Sequence, residues 1–241
     1  MSDPVVEAQK REAGEAAAAL VESGMRIGLG TGSTVRYTIE AIGRKLTRGE
    51  LHDVIGVPTS EASDRLARSL GIPLASLAEL PRLDLCIDGA DEVSPELDLI
   101  KGLGAALLRE KIVAAASARL AIVIDAGKRV SRLGTRAPLP VAVLPFGWQS
   151  QLPFLAELGA VPELRRDASG EIVVTDDGLF LLDCRFAEGI DDPAALERAL
   201  AMRPGIVECG LFLNMCERVF VAGDAGVTEL RRRSSTAAPE A

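Results

Sequence analysis

The sequence predicts an α/β fold in which a mostly parallel sheet is flanked by helices, in a Rossmann-like arrangement, with a smaller α+β domain inserted. Apolar segments of strand length alternate with segments of helical spacing over the first 130 residues, a pattern typical of right-handed βαβ units. Residues 120–125, LAIVID, form a continuous apolar run, as expected of a strand buried on both faces. Aromatic residues make up only 3% of the chain, so small and aliphatic side chains must fill the core.

The first part of the chain supplies the elements of the parallel sheet. Ser60 or Thr59 is the expected N-cap of its third helix, and Gly24 and Gly71 are expected to end the first and third helices. The predicted elements are, in order, a helix over 6–23, a strand entering a glycine-rich turn in 25–35, a helix over 35–46, a strand and a helix start in 53–63, a strand in 83–93, a glycine turn and a helix in 101–117, and the strand 120–125.

The pattern changes after Leu133. Three prolines within 135–147 exclude a long helix there. Helices are predicted over 149–158 and 193–202, and strand residues occur in 171–186 and 205–212. This order indicates a small α+β domain, and it is inserted because 219–230 again has the pattern of a buried strand and a turn. The predicted division is 1–133 together with 208–232 as the α/β domain, 134–207 as the small domain, and 233–241 as a disordered tail.

The charge balance and the cysteine content exclude several classes of function. The chain has 27 Lys and Arg against 35 Asp and Glu, a formal net charge of −8, which argues against nucleic acid as a partner. No apolar run approaches the ~18 residues that cross a membrane, and the N-terminal segment lacks a signal-peptide core. The four cysteines form no CxxC pair, so a reduced, cytoplasmic location is predicted.

The histidine content narrows the possible chemistry further. The chain has one histidine, His52, which excludes a histidine-rich zinc site. No nucleophile elbow accompanies it, so we expect His52 to be a surface residue or a satisfied core residue. The acids and bases of any catalytic site are therefore expected to be carboxylates and lysines.

The glycine-rich segment GLGTGST, residues 28–34, follows a predicted strand and precedes a predicted helix. Its glycines let the backbone approach a ligand closely, and N–H groups at a helix N-terminus bind phosphate. It is not a Walker A loop, because no Lys follows, and it is not GxGxxG, because Ser33 occupies the sixth position. A tight turn without any ligand is the alternative interpretation.

Asp88 and Asp91 lie in the segment DGAD, at the end of a predicted strand. Ligands of parallel sheets bind at such strand ends, and the small residues Gly89 and Ala90 leave room for one. An acidic turn held by an Asx-type hydrogen bond is the alternative. Glu92 adds a third carboxylate, but a metal is not expected, because oxygen-ligand clusters usually offer alternating acids around a loop.

The segment KGLGAALLREK combines Lys101 with Glu110. If its helix begins near Gly104, Glu110 lies in the second turn, and its side chain leans back toward the helix N-terminus and Lys101. An amphipathic helix with solvated charges is the alternative, and spacing alone favours it. Lys10, in the first helix, and Lys128, after a strand, are further candidate ligands of an anion.

Taken together, these segments resemble the type A ribose-5-phosphate isomerase family. The resemblance rests on GLGTGST, PTSEAS, DGADEV, KGLGAALLREK and DAGK, which occur in this order and at similar spacing. GIVECGLF and GDAGVTEL also match the C-terminal part of the family, so nearly the whole chain is covered. DGAD followed by KGxGAAxxREK is the specific part of the match.

The resemblance implies reversible conversion of D-ribose 5-phosphate into D-ribulose 5-phosphate, in the non-oxidative pentose phosphate pathway, without a metal or other cofactor. It implies a homodimer or homotetramer, and it matches Glu110 to the proton acceptor. Leu103 departs from the KGGGA run of many members. The substrate-binding residues that the resemblance implies are Lys10, Thr31, Gly32, Ser33, Thr34, Asp88, Gly89, Ala90, Asp91, Lys101, Gly102, Leu103, Gly104 and Lys128.

This reaction suits the residues that the chain offers. A base must move a proton between neighbouring carbons through an enediolate, and one carboxylate can perform both steps, so no histidine is required. We expect Glu110 to be this base, with Lys101 and loop N–H groups stabilising the developing charge. Asp88 or Asp91 is expected to shuttle protons between sugar oxygens, and the phosphate is expected at the turn 31–34.

Two other functions are consistent with a similar fold. A non-catalytic sugar-phosphate sensor would normally carry a DNA-binding segment, but no basic helix-turn-helix candidate precedes Gly28. A coenzyme A transferase would use a glutamate nucleophile and a site for a large cofactor. The combination of DGAD, KGxGAAxxREK and Lys128 favours the isomerase over both.

Overall fold

The computed structural model describes residues 4–232, so the predicted disordered tail, 233–241, lies outside the described residues. The helices are α1 Pro4–Ala18, α2 Val35–Thr47, α3 Glu61–Ser69, α4 Leu107–Ala115, α5 Gln151–Glu157 and α6 Pro193–Ala201, with short 3-10 helices at Ala126–Lys128 and Trp148–Ser150. The strands are β1 Arg26–Leu29, β2 Ile55–Pro58, β3 Leu85–Gly89, β4 Glu92–Val93, β5 Leu99–Ile100, β6 Leu120–Asp125, β7 Leu139–Val143, β8 Val161–Leu164, β9 Phe180–Arg185, β10 Ile206–Cys209, β11 Leu211–Phe212, β12 Arg218–Gly223 and β13 Gly226–Arg231.

The main sheet confirms the predicted α/β class. Its strand order is β13-β12-β6-β3-β1-β2, and every pairing is parallel except the terminal hairpin of β12 with β13. Strand β6 lies inside the sheet with Ile122 and Val123 fully buried, because its apolar run has helices or other strands on both faces. The carboxyl ends of β1, β3 and β6 therefore meet at one edge, where such sheets bind ligands.

The chain between β6 and β12 forms the predicted smaller α+β unit. It contains a sheet of order β10-β7-β9-β8, whose strands are all antiparallel. A short third sheet, β11-β5-β4, joins the two larger sheets. Strand β10 covers 206–209 and therefore spans the predicted domain limit between 207 and 208. The exact domain limits stay a prediction.

Several element boundaries differ from the prediction for identifiable reasons. Helix α4 begins at Leu107 rather than near Gly104, because Gly102 and Ala105 have φ of 110° and 60° and cannot be part of a right-handed helix. Strand β8 was not predicted, and within 171–186 only β9 is a strand, since 172 and 174 form isolated bridges. Each of these bridges pairs a residue with one six positions away in the chain, so the segment turns back on itself and does not continue as a strand.

A buried carboxylate fixes the passage from the main sheet to the smaller unit. Glu92 is 0% exposed and accepts backbone N–H bonds from Gly134 at 2.6 Å, Arg136 at 2.6 Å and Ala137 at 2.7 Å. Hydrogen bonds to a charged acceptor are the stronger kind, and they also satisfy a carboxylate that water cannot reach. Glu92 thus holds the segment that leads from Lys128 into β7.

We expect Glu92→Gln to destabilise the fold. The amide has one acceptor oxygen where the carboxylate has two, and its NH₂ group would face backbone N–H donors, so the free energy of unfolding should fall by about 2–4 kcal/mol. Urea unfolding followed by circular dichroism measures this change. Glu96→Gln, at an exposed position between β4 and β5, is the control, and equal stability of the two variants would contradict the role given to Glu92.

Candidate active site

A cavity of about 280 Å³ opens where the predicted site residues meet. It lies at the carboxyl ends of β1, β3 and β6, as the parallel sheet predicts. Larger grooves occur elsewhere, such as one of about 500 Å³ beside Leu74 and Ile112, but neither Lys101 nor Glu110 lines that groove. The residues that line the 280 Å³ cavity are Val6, Lys10, Thr31, Gly32, Ser33, Thr34, Gly89, Ala90, Asp91, Lys101, Gly102, Gly104, Glu110, Asp125 and Lys128.

Asp88 lies beneath this cavity and joins two of its walls. Its Oδ1 accepts the N–H of Thr31 at 2.9 Å and that of Gly89 at 2.7 Å. The glycine-rich turn passes so close that a Cβ on Gly30 would lie 2.2 Å from Asp88 Oδ1. Position 30 therefore has to be glycine for this contact to form.

Lys101 is the buried cation of the site. Its side chain is 2% exposed, and its Nζ lies 3.1 Å from Asp88 Oδ2 and 3.1 Å from Glu110 Oε1. It also donates a hydrogen bond to the carbonyl oxygen of Gly89, and the ring of the fully buried Phe212 lies 5.4 Å from the ammonium. The ammonium is therefore held at one point by charge and by packing.

Glu110 reaches the cavity from the first turn of α4, not from the second turn as predicted. The side chain still leans back toward Lys101, because helical side chains point toward the N-terminus of their helix. Its Oε2 is buried and accepts no hydrogen bond from any residue in 4–232. Since Glu110 also lines the cavity, this oxygen is available to a proton brought by a ligand.

The three buried charges perturb one another. Burial, together with the neighbouring charge of Asp88, raises the pKa of Glu110 to about 8, although Lys101 opposes the shift. Burial also raises the pKa of Asp88, against the effect of Lys101. Burial alone would lower the pKa of Lys101, but the charges of Asp88 and Glu110 outweigh burial and raise it. The site thus combines a permanent cation with a carboxyl group that titrates near neutral pH.

The opposite wall of the cavity offers hydroxyls and lysines. Thr31 Oγ1 lies 2.7 Å from both Thr59 Oγ1 and Ser60 Oγ, so hydroxyls from the start of α3 hold the turn. Residues 31–34 lead directly into α2, whose N-terminus favours an anion. Lys10 contributes an ammonium that lies 3.0 Å from Glu7 Oε1.

Lys128 adds a second ammonium to this wall, directly after β6. Within residues 4–232 it forms no ion pair, and it lines the cavity from the 3-10 turn Ala126–Lys128. Its charge is therefore available to a bound anion. Lys10, Lys128 and the N–H groups of the turn 31–34 are the parts of this lining that are suited to an anion.

Most of the predicted site residues come together, and two lie outside the cavity wall. Asp88 supports the wall from below. Leu103 is 42% exposed on the outer side of its loop, and its N–H donates to Asp91 Oδ2 at 2.9 Å. The sequence reasoning missed Glu7 and Asp125; Glu7 was signalled by its position three residues before Lys10 on the same helix face.

Three further predictions concern the position of His52, membrane-spanning helices and metal sites. His52 lies on the surface with its side chain 75% exposed, 3.1 Å from Asp53 Oδ2. Across residues 4–232, no helix combines the length and apolar character needed to cross a membrane. In the same part of the chain, no three His, Cys, Asp or Glu side chains are grouped so that they could hold a metal ion.

Comparison with known protein sequences points to one family. The family model described as Ribose 5-phosphate isomerase A (phosphoriboisomerase A) matches residues 55–226. The chain is 52% identical over 221 residues to the ribose-5-phosphate isomerase A of Roseiflexus castenholzii, covering 92% of this chain and 94% of that protein. It is 49% identical over 227 residues to the corresponding protein of Deinococcus radiodurans, covering 94% and 99%.

Solved structures with the same fold extend the comparison. A D-ribose-5-phosphate isomerase in complex with phospho-erythronic acid matches with a TM-score of 0.91 and 41% identity, over 94% of this chain and 99% of that chain. The ribose 5-phosphate isomerase of Plasmodium falciparum matches with a TM-score of 0.91 and 37% identity, over 94% and 99%. The chain is therefore an isomerase that belongs to the ribose 5-phosphate isomerase A family.

Proposed function

We propose that this chain interconverts D-ribose 5-phosphate and D-ribulose 5-phosphate through an enediolate, with Glu110 as the proton acceptor. One observation carries the mechanism: the buried Oε2 of Glu110 has no hydrogen-bond partner within residues 4–232, and Glu110 lines a cavity beside the ammonium of Lys101. A base without a competing partner, next to a fixed positive charge, is what proton abstraction next to a carbonyl requires.

Glu110 acts in both halves of the reaction. Its carboxylate removes the proton from the carbon beside the carbonyl and then returns this proton to the neighbouring carbon, so that aldose becomes ketose. Its pKa of about 8 makes it a stronger base than an ordinary glutamate, and the value lies close to neutral pH, where proton transfer in both directions is efficient. Lys101 stabilises the negative charge that develops on the oxygens of the enediolate.

The two aspartates have different surroundings, and we assign them different roles. Asp88 is 1% exposed and uses its oxygens on Lys101, Thr31 and Gly89, so it holds the machinery in place. Asp91 lines the cavity, so it is the carboxylate that moves protons between sugar oxygens and assists ring opening. The sequence had left these roles undivided.

The ligand of a similar structure resembles the proposed intermediate. That protein was solved with phospho-erythronic acid, whose carboxylate has two oxygens in one plane, as an enediolate has. In this chain we place the two enediolate oxygens near Lys101 and the phosphate at the turn 31–34, with Lys10 and Lys128, because these groups line the cavity. A non-catalytic sensor would leave the unpartnered Glu110 oxygen without a use. A coenzyme A transferase could use this glutamate as a nucleophile, but it would also need a site for a large cofactor, and the cavity here is about 280 Å³. The cytoplasmic location and the homodimeric or homotetrameric state remain predictions of the sequence.

We expect Glu110→Gln to abolish most of the activity while the fold survives. The amide keeps the size of the side chain but cannot accept the proton, so kcat should fall by about 10²–10⁴-fold. The measurement is ribulose 5-phosphate formation from ribose 5-phosphate, with circular dichroism to verify folding. Glu157→Gln, an exposed glutamate of α5, is the matched control. A folded Glu110→Gln variant with normal turnover would remove Glu110 from the base role.

The same assay with EDTA tests whether the reaction needs a metal. We expect activity to survive the chelator, because Lys101 supplies the positive charge that a metal would otherwise provide. Loss of activity in EDTA and its return on addition of a divalent cation would overturn the proposed mechanism.

The pH dependence of kcat/KM should report the ionisation of Glu110. Because the base must be ionised and its pKa is raised to about 8, kcat/KM should rise between pH 7 and pH 9 with a midpoint near 8. The charge of Asp91 contributes to this shift, so Asp91→Asn should move the midpoint to lower pH. A level profile over this range in the parent protein would contradict the assignment.

Lys128→Met should weaken phosphate recognition more than chemistry. The lost ammonium contacts a part of the substrate that does not react, so KM for ribose 5-phosphate should rise by about tenfold or more while kcat changes less. The control is ribose without its phosphate: the rate of its conversion should be the same in the variant and in the parent protein. An unchanged KM for ribose 5-phosphate would place the phosphate elsewhere.

A further inference from the structure

An arginine of the smaller unit reaches the turn that carries Lys101. Arg165 follows β8 directly, and its Nη1 donates to the carbonyl oxygens of Gly102 at 2.9 Å and Leu103 at 3.2 Å. These partners are 63 and 62 residues distant in the chain. The turn belongs to the wall of the cavity, so this contact joins the second sheet to the proposed catalytic machinery.

Asp183 holds the guanidinium in this position. Arg165 Nε donates to Asp183 Oδ2 at 2.8 Å, and Nη2 donates to Asp183 Oδ1. The two side chains are 11% and 22% exposed, and they lie on the neighbouring strands β8 and β9 or at their ends. A two-pronged pair of this kind fixes the plane of the guanidinium, which a lysine cannot reproduce.

The direction of the two carbonyl groups determines the direction of the next two N–H groups. In a trans peptide the C=O and the following N–H point in opposite directions. The Gly102 carbonyl points to Arg165, and the N–H of Leu103 accordingly points away from it, to Asp91 Oδ2 at 2.9 Å. By the same geometry, the Leu103 carbonyl held by Arg165 turns the N–H of Gly104 away from Arg165.

This Gly104 N–H has no use inside the protein. Among residues 4–232 it has no hydrogen-bond partner, and Gly104 lines the cavity. The turn is also unusual in conformation, with φ of 110° at Gly102 and 60° at Ala105. A left-handed alanine costs about 1–2 kcal/mol, so contacts from outside the turn must help to keep it.

We propose that Arg165 is a positioning residue for the isomerisation: it holds the turn 101–104 so that the N–H of Gly104 faces the substrate oxygen that becomes negative. This inference rests on the proposed function, and it goes beyond it by giving the smaller unit a role in the chemistry. A preorganised N–H donor stabilises such an oxygen, and a donor displaced by about 1 Å loses much of that effect.

The test compares Arg165→Met with Arg165→Lys and with Arg166→Met. Arg166 is the adjacent arginine, and its Nη1 donates only to Gly170 O within its own hairpin. We expect Arg165→Met to lower kcat by about 10-fold to 100-fold, with KM for ribose 5-phosphate within about threefold of the parent because the phosphate end is untouched. Arg165→Lys should retain part of the activity, and Arg166→Met should match the parent.

Hydrogen exchange of the backbone amides in 101–106, measured by mass spectrometry, gives a readout that does not depend on catalysis. We expect these amides to exchange faster in Arg165→Met than in the parent protein. In Arg165→Lys the exchange rate should lie between those of the parent and Arg165→Met, and in Arg166→Met it should equal that of the parent. If Arg165→Met does not fold, Arg165→Lys carries both measurements, because it retains the charge and one donor.

Several outcomes would overturn the inference. A folded Arg165→Met with the parent's kcat would do so, as would an equal loss of kcat in Arg166→Met, or unchanged exchange of 101–106. A parent protein without isomerase activity would instead refute the proposed function, and the exchange data would still decide whether Arg165 holds the turn.

Discussion

The site depends on burying the ammonium of Lys101 between the carboxylates of Asp88 and Glu110. A buried charge is tolerated only with partners, and here two anions surround one cation. The excess negative charge makes full ionisation of both carboxylates unfavourable, so one of them retains a proton more readily. The arrangement that makes Lys101 stable in the interior therefore also contributes to the raised pKa of Glu110, the proposed base.

The buried cluster of Asp88, Lys101 and Glu110 constrains the backbone around it, and this constraint reaches both sheets. Asp88 leaves no room for a side chain at Gly30, and Lys101 lies on a turn that continues through a left-handed Ala105. Such conformations persist where the surroundings hold them. The contacts that do so come from the smaller unit, through Arg165 on the turn, while Glu92 fixes the segment that joins the two units. The second sheet is therefore part of the structural support of the site.

Much of the fold could be predicted because it depends on local pattern and a simple topological rule, whereas the catalytic use of Lys101 and Glu110 was implied only by the family resemblance, since spacing alone favoured a helix with solvated charges. An apolar run such as 120–125 has few alternatives to a strand buried on both faces, and the carboxyl ends of parallel strands meet, which brings Asp91 and Lys128 to one cavity. The rest depends on contacts between distant segments. The delayed start of α4 follows from φ at Ala105, and the partners of Arg165 are 62 and 63 residues away. An arginine at the end of a strand is usually solvated, so nothing in its local pattern indicates this contact.

The distribution of charge also explains how an acidic protein can orient an anionic substrate. The chain carries a formal charge of −8, yet Lys10 and Lys128 line the cavity where we place the phosphate, and Asp91 and Glu110 line it where we place the reacting carbons; Asp125 is a further carboxylate of the lining. A phosphate with about −1.5 to −2 charges at neutral pH is attracted to the two lysines and repelled by Asp91 and Glu110. A sugar phosphate in the reverse orientation would place its phosphate against two carboxylates and its carbonyl away from Lys101. The carboxylates that perform the proposed chemistry thus also select the orientation in which that chemistry is possible.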